Sequence, residues 1–212
     1  MRLFSRIATL QGPPADVGAW AVEMTELVND STDLDISLWQ GSFGYPMGTV
    51  IWSTIVEGRA QLMEGQAQLM ANPAYHELGS RAAEWASPFG AQDTLRNLVH
   101  ATQEPSGPPP VGSVSNVVTA TPNNGKLADA MAWGVEVADL YTSITGAGVG
   151  FLADAYGTFG QMTWIAGFDT PAAADEAEDK LNASADYMAA INSAGDLFVP
   201  GSGEQRMIVR VA

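Results

Sequence analysis

The chain has 212 residues, 46% of them hydrophobic, enough for one large core or two small ones. Acidic residues outnumber basic ones 24 to 9, and a formal charge of −15 repels phosphate backbones and anionic lipid, so neither nucleic acid nor a membrane surface is expected as a partner. The absence of cysteine removes disulfides, thiolate nucleophiles and Cys-bound metal together. Arg2 and Arg6 break up the first ten residues, so these do not read as a signal peptide, and no apolar run reaches the roughly 18 residues of a membrane helix. The expected location is the cytoplasm.

Residues 2–10 alternate in character and predict a strand. A turn at Gly12-Pro13-Pro14 leads to Asp16 as helix cap, after which Val17, Trp20, Met24, Leu27 and Val28 recur at helical spacing. Residues 36–43 and 49–56 are rich in β-branched and aromatic residues around a short loop, which predicts a hairpin. Residues 59–85 read as helix with a stop and restart at Asn72-Pro73, since proline suits only the first helical turn. Residues 93–102 close this half as a strand. Residues 104–112, with three consecutive prolines, read as a stiff linker. Beyond it, 113–121, 148–156, 161–168 and 205–211 predict strands, and 127–144 and 171–194 helices. The last helix has Ala185 in place of Pro73 and is expected to run unbroken.

The two halves repeat one another. Ala19, Trp20, Val22, Glu23 and Leu27 recur as Ala132, Trp133, Val135, Glu136 and Leu140, and Gly44, Gly48 and Trp52 recur as Gly157, Gly160 and Trp164. Two aligned tryptophan pairs carry most of the weight, and they point to a tandem duplication with units at 1–103 and 113–212. Each unit reads strand, helix, strand, strand, helix, strand, the ferredoxin-like split βαβ arrangement of the α+β class. Such a sheet covers one face with helices and leaves the other bare. A bare face carrying Trp52, Trp164, Phe151 or Leu152 is best buried by placing the two sheets face to face.

In this the chain resembles the dimeric α/β-barrel superfamily, and the Asn72-Pro73-Ala74-Tyr75 restart resembles the second helix of its antibiotic-biosynthesis-monooxygenase, NIPSNAP and stress-responsive A/B-barrel branches. The resemblance implies an intramolecular barrel around a cavity, working as a monomeric pseudo-dimer or a homo-oligomer of it. It further implies a cofactor-independent monooxygenase or cyclase acting on a small apolar, aromatic or polyketide-like molecule. The competing expectation is a non-catalytic ligand-binding or assembly protein of the same fold. A haem enzyme ranks last: positions that carry Trp and His in haem-degrading members are Leu69 and Gly79 here, and residues 111–212 contain no histidine for a chlorite-dismutase-like ligand. No cofactor or metal is called for.

Candidate chemistry rests on few residues. Arg2, Arg6, Arg96, Arg206 and Arg210 fall on the first and last strands of the units, which neighbour each other in this fold, so Arg6 is expected near Arg96 or His100. There they serve either as an anion hole for a ligand or as charges guarding a sheet edge and answering carboxylates. His76 and His100 are the only histidines. Each is a candidate general base or an ordinary hydrogen-bonded side chain, and they lack metal-ligand spacing. His100 alternates with Leu98 and Arg96 and is expected on their face. Trp52 and Trp164 either stack on a flat ligand or pack under the helices. Arg96 aligns with Arg206, and His76 and His100 with Met188 and Arg210.

Overall fold

The computed structural model describes residues 1–104 and 107–212, with Ala86 and Phe89 by backbone alone. The stiffness expected of the 104–112 linker therefore falls partly on Pro105 and Ser106, outside the described residues. The first unit comprises β1 (Arg2–Leu10), α1 (Pro14–Ser31), β2 (Ser37–Gly41), β3 (Thr49–Val56), α2 (Arg59–Met70), α3 (Pro73–Arg81) and β4 (Ala86–Ala101). The second comprises β5 (Val114–Ala120), α4 (Leu127–Thr145), β6 (Val149–Tyr156), β7 (Met162–Phe168), α5 (Pro171–Ala183), α6 (Ala185–Ser193) and β8 (Glu204–Arg210).

The eight strands close into one antiparallel barrel in the order β1-β3-β2-β8-β5-β7-β6-β4. Each half has the ferredoxin-like order, and the halves join along two seams, β4 with β6 and β2 with β8. Closure leaves no sheet edge open to unwanted pairing. Helices cover the outside, so every strand has a helix-side face and a face toward the barrel lumen. On the helix side lie Ala8, Leu10, Val50, Trp52 and Leu95 in the first unit and Val114, Phe151, Met162 and Trp164 in the second. A separate cluster of Trp39, Ile51, Val117 and Ile208 fills part of the lumen.

Trp52, Trp164 and Phe151 thus lie under the helices and not on the face expected to be bare, whereas Leu152 does face the lumen. The indole N–H groups give the physical reason. Trp52 Nε1 donates to Thr25 Oγ1 and Trp164 Nε1 to the Gly134 carbonyl oxygen, each at 3.0 Å, and only the covering helices offer those acceptors. Trp20 and Trp133 meet them edge to face at 6.0 and 5.8 Å.

Two helix boundaries differ from expectation. Helix α1 begins at Pro14 with Pro13 as cap, so Asp16 sits in the first turn, where its charge suits the helix dipole. The helix expected over 171–194 breaks at Ser184, which caps α6 by accepting from the Tyr187 amide, as Asn72 caps α3 by accepting from Ala74. Both caps are extended, with ψ of 112°. A polar cap is enough to stop and restart the chain without proline. Strand β4 also starts earlier than expected, because its pairing with β1 continues to Leu10 opposite Ala86.

Candidate functional site

Between the first unit's sheet and its helices lies a cavity of about 430 Å³. Trp20 and Met24 of α1, Trp52 of β3 and Leu69 of α2 give it apolar walls, and Arg6, Tyr75 and Asp93 supply polar groups. Arg6 and Asp93 stand opposite each other on β1 and β4 and form a two-pronged pair, Nε to Oδ1 and a terminal nitrogen to Oδ2, both at 2.8 Å. The hydrogen bond to Asp93 raises the Arg6 pKa more than burial lowers it, and the Tyr75 hydroxyl adds to the rise. The guanidinium is therefore a fixed positive charge beside an apolar chamber. Both side chains are a little under half exposed, so the pair is reachable by a ligand.

The second unit's registers put different residues in these places. Trp52 and Trp164 occupy equivalent positions, Arg6 lies opposite Trp52, and Val118 lies opposite Trp164. By the same rule Asp93 corresponds to Gln205, since β1 pairs Arg6 with Asp93 and β5 pairs Val118 with Gln205. Leu38, opposite Trp52, corresponds to Phe151, opposite Trp164, and the Phe151 ring stacks on Trp164 at 4.9 Å. Phe198 adds an edge contact to Trp133 at 5.3 Å. Aromatic rings occupy the second unit's interior, and the charged pair belongs to the first.

Arg6 and Trp52 line the helix-side cavity. Arg96 faces the lumen, opposite Leu3 and not Arg6, so it and Arg6 lie on opposite faces of the sheet, contrary to the expected proximity. Its Nε donates to Asp154 Oδ1 at 2.9 Å, and burial pushes the Asp154 carboxyl up against the opposing pull of Arg96. Arg206 also faces the lumen, paired with Glu204 and lying over the Tyr45 ring at 5.1 Å. The partner of Arg96 by register is Ile208, because Leu3 corresponds to Ser115; the alignment of Arg96 with Arg206 is two residues out. Arg210 bonds the Pro109 and Ala212 carbonyl oxygens, fastening the linker and the C-terminal residue. Trp164 belongs to the second unit's core.

Neither histidine lines a described cavity. His76 is exposed on α3, with Nε2 2.8 Å from the Met70 carbonyl oxygen. A register shift between Leu98 and His100 turns His100 out of phase with Arg96 and Leu98, and its Nε2 lies 2.7 Å from Asp139 of α4. Among the described residues no three His, Asp or Glu side chains converge as a metal site. Leu69 and Gly79 both line the helix-side cavity. Neither Asp93 nor Tyr75 stands out as a site residue in the sequence, where Tyr75 is part of the Asn72-Pro73-Ala74-Tyr75 motif. The available signal was an acidic residue two before Leu95, in register with Arg6 once the strands pair.

No protein-family model matches the chain, and no curated protein is significantly similar to it in sequence. Solved structures do share its fold. A candidate monooxygenase from Fusobacterium nucleatum superposes with a TM-score of 0.72 at 6% identity, covering 100% of this chain and 92% of the other. An anthrone oxidase-like protein gives 0.70 at 11% identity, covering 100% and 91%. A candidate monooxygenase from Lactobacillus acidophilus gives 0.64 at 10% identity, covering 99% and 93%. At such identities the likeness is one of fold. No helix among the described residues is long and apolar enough to cross a membrane.

Proposed function

We propose that this tandem α/β barrel, built on the dimeric α/β-barrel fold, binds a small aromatic, largely apolar molecule in the helix-side cavity of its first unit and oxidises it with O2 without a cofactor. The observation that carries the reading is the Arg6–Asp93 pair beside an apolar chamber lined by Trp20 and Trp52, in one unit only. Names of the fold neighbours, among them an anthrone oxidase-like protein, suggest the reaction class.

In that reaction a ring methylene flanked by aromatic rings loses a proton, and the resulting phenolate-like anion reduces O2. The methylene becomes a carbonyl and one oxygen atom leaves as water. Asp93 is the acceptor for the proton, replacing the histidines, which do not reach the cavity. Arg6, with Tyr75 beside it, stabilises the developing oxyanion, a task suited to a charge that needs no reorganisation. The indole walls orient the ring system by edge and face contacts.

The competing reading is a binding protein without turnover, favoured by one feature: both Asp93 oxygens already accept bonds from Arg6. Oxygen uptake and calorimetry with anthrone as probe decide between them. Turnover lost in Asp93→Asn with binding kept supports catalysis. Binding without oxygen uptake leaves the binding reading, and absence of binding overturns both.

A further inference from the structure

The barrel lumen forms a second cavity, about 530 Å³, on the opposite side of the sheet from the first. Its rim includes Arg2, Gly107 and Pro109, and its walls are apolar, with Trp39, Ile51, Leu98, Leu152 and Ile165. Polar and charged groups also line it, among them Arg206, Arg96, Tyr45 and Thr119, with the carboxylates of Glu104 and Asp169. The Arg206 guanidinium lies over the Tyr45 ring, and its one ion-pair partner among the described residues, Glu204, is half exposed and competes weakly for it.

Two threonines single this region out. Thr119 and Thr163 face each other on β5 and β7, with 3% and 0% of their surface exposed, and neither hydroxyl has a hydrogen-bond partner. The positions equivalent to them in the first unit hold Ile7 and Ile51. A threonine without a partner in a strand interior costs stability that isoleucine or valine would not, so the barrel does not need these hydroxyls for packing. They lie on the lumen face, on the strand pair next to β8, which carries Arg206.

We infer that the lumen is a second ligand site, for an apolar chain ending in a carboxylate, with the carboxylate accepting from Thr119 and Arg206 and the chain lying along Trp39 and Ile51. The site is independent of the helix-side cavity and of the reaction assigned to it.

A bromine-terminated undecanoate is a direct probe, because bromine quenches nearby indoles and Trp39 is the tryptophan lining the lumen cavity, while Trp20 and Trp52 line the other. Saturable quenching is expected in the full chain, weaker for the methyl ester, and absent in Trp39→Phe. Arg206→Gln should weaken binding roughly tenfold or more, as loss of a charged hydrogen bond does. Thr119→Val should leave the protein at least as stable while also weakening binding, which separates ligation from folding. Lack of saturable quenching, quenching that survives Trp39→Phe, or unchanged affinity in Arg206→Gln would each overturn the site.

Discussion

Gly134 and Phe151 of the second unit stand where the first unit has Ala21 and Leu38, and exchanging them tests how that interior is filled. A methyl group at Gly134 would lie 2.4 Å from Phe151 Cζ and 2.8 and 2.9 Å from the two Cε atoms. Carbon atoms rest at about 3.5–4.0 Å, so the ring must move by about 1 Å. It has little freedom: Phe151 is fully buried and stacked on Trp164, whose indole donates back to the Gly134 carbonyl oxygen at 3.0 Å. Helix propensity alone makes Gly134→Ala stabilising by about 1 kcal/mol, while overpacking a core costs about 1–3 kcal/mol. Net destabilisation of up to about 2 kcal/mol follows. Gly18 in α1 is the control, since a methyl there meets nothing within 4 Å, and Gly18→Ala should stabilise by up to about 1 kcal/mol. Phe151→Leu alone should cost about 1–2 kcal/mol through the space it leaves. The double variant recreates the first unit's Ala21–Leu38 pair and should exceed the sum of the singles by at least about 1 kcal/mol. Urea unfolding at constant m-value measures each. A stabilised Gly134→Ala, or additivity within about 0.5 kcal/mol, would refute the reasoning.

Asp154→Asn leaves the buried Arg96 guanidinium without its charged partner and should cost about 3 kcal/mol, whereas Asp93→Asn, in a pair 42% and 48% exposed, should cost under about 1 kcal/mol by the same unfolding assay. Burial, helped by Tyr187 and Glu178, pushes the Tyr141 hydroxyl from 10.0 up to about 12. The folded chain keeps a proton there that the unfolded chain releases, so this contribution is intact below pH 10 and is lost as pH rises toward about 12, by about 2 kcal/mol. Tyr141→Phe should flatten the stability profile across that window, and an unchanged profile would contradict the assignment. Ser184→Ala should cost about 1 kcal/mol and fray α6, read by amide exchange of Tyr187. His76→Ala with His100→Ala should leave any oxygen uptake unchanged; a large loss would return the base to a histidine.

The fold was legible because its signals are local. The paired tryptophans, the Asn72-Pro73 restart and the alternating strands each survive without knowledge of neighbours, and they led to the barrel. The faces were not legible. Alternation at Trp52 and Trp164 separates two sides of a strand but does not say which meets a helix; that depends on acceptors such as Thr25 and the Gly134 carbonyl. His100 was misplaced by a register shift, which cannot be counted from spacing. Asp93 gains its meaning only when β4 pairs with β1, and the carboxylate that Arg96 answers, Asp154, is distant in sequence and identified only when β4 pairs with β6.

A subunit that associates with its own copy inherits every substitution in duplicate, so a ring that closed one chamber would close both. Here a single polypeptide supplies both walls, and the stacked Phe151 and the Arg6–Asp93 pair each occur once. One half is free to become a rigid brace while the other keeps its hollow, a division of labour that identical partners cannot reach.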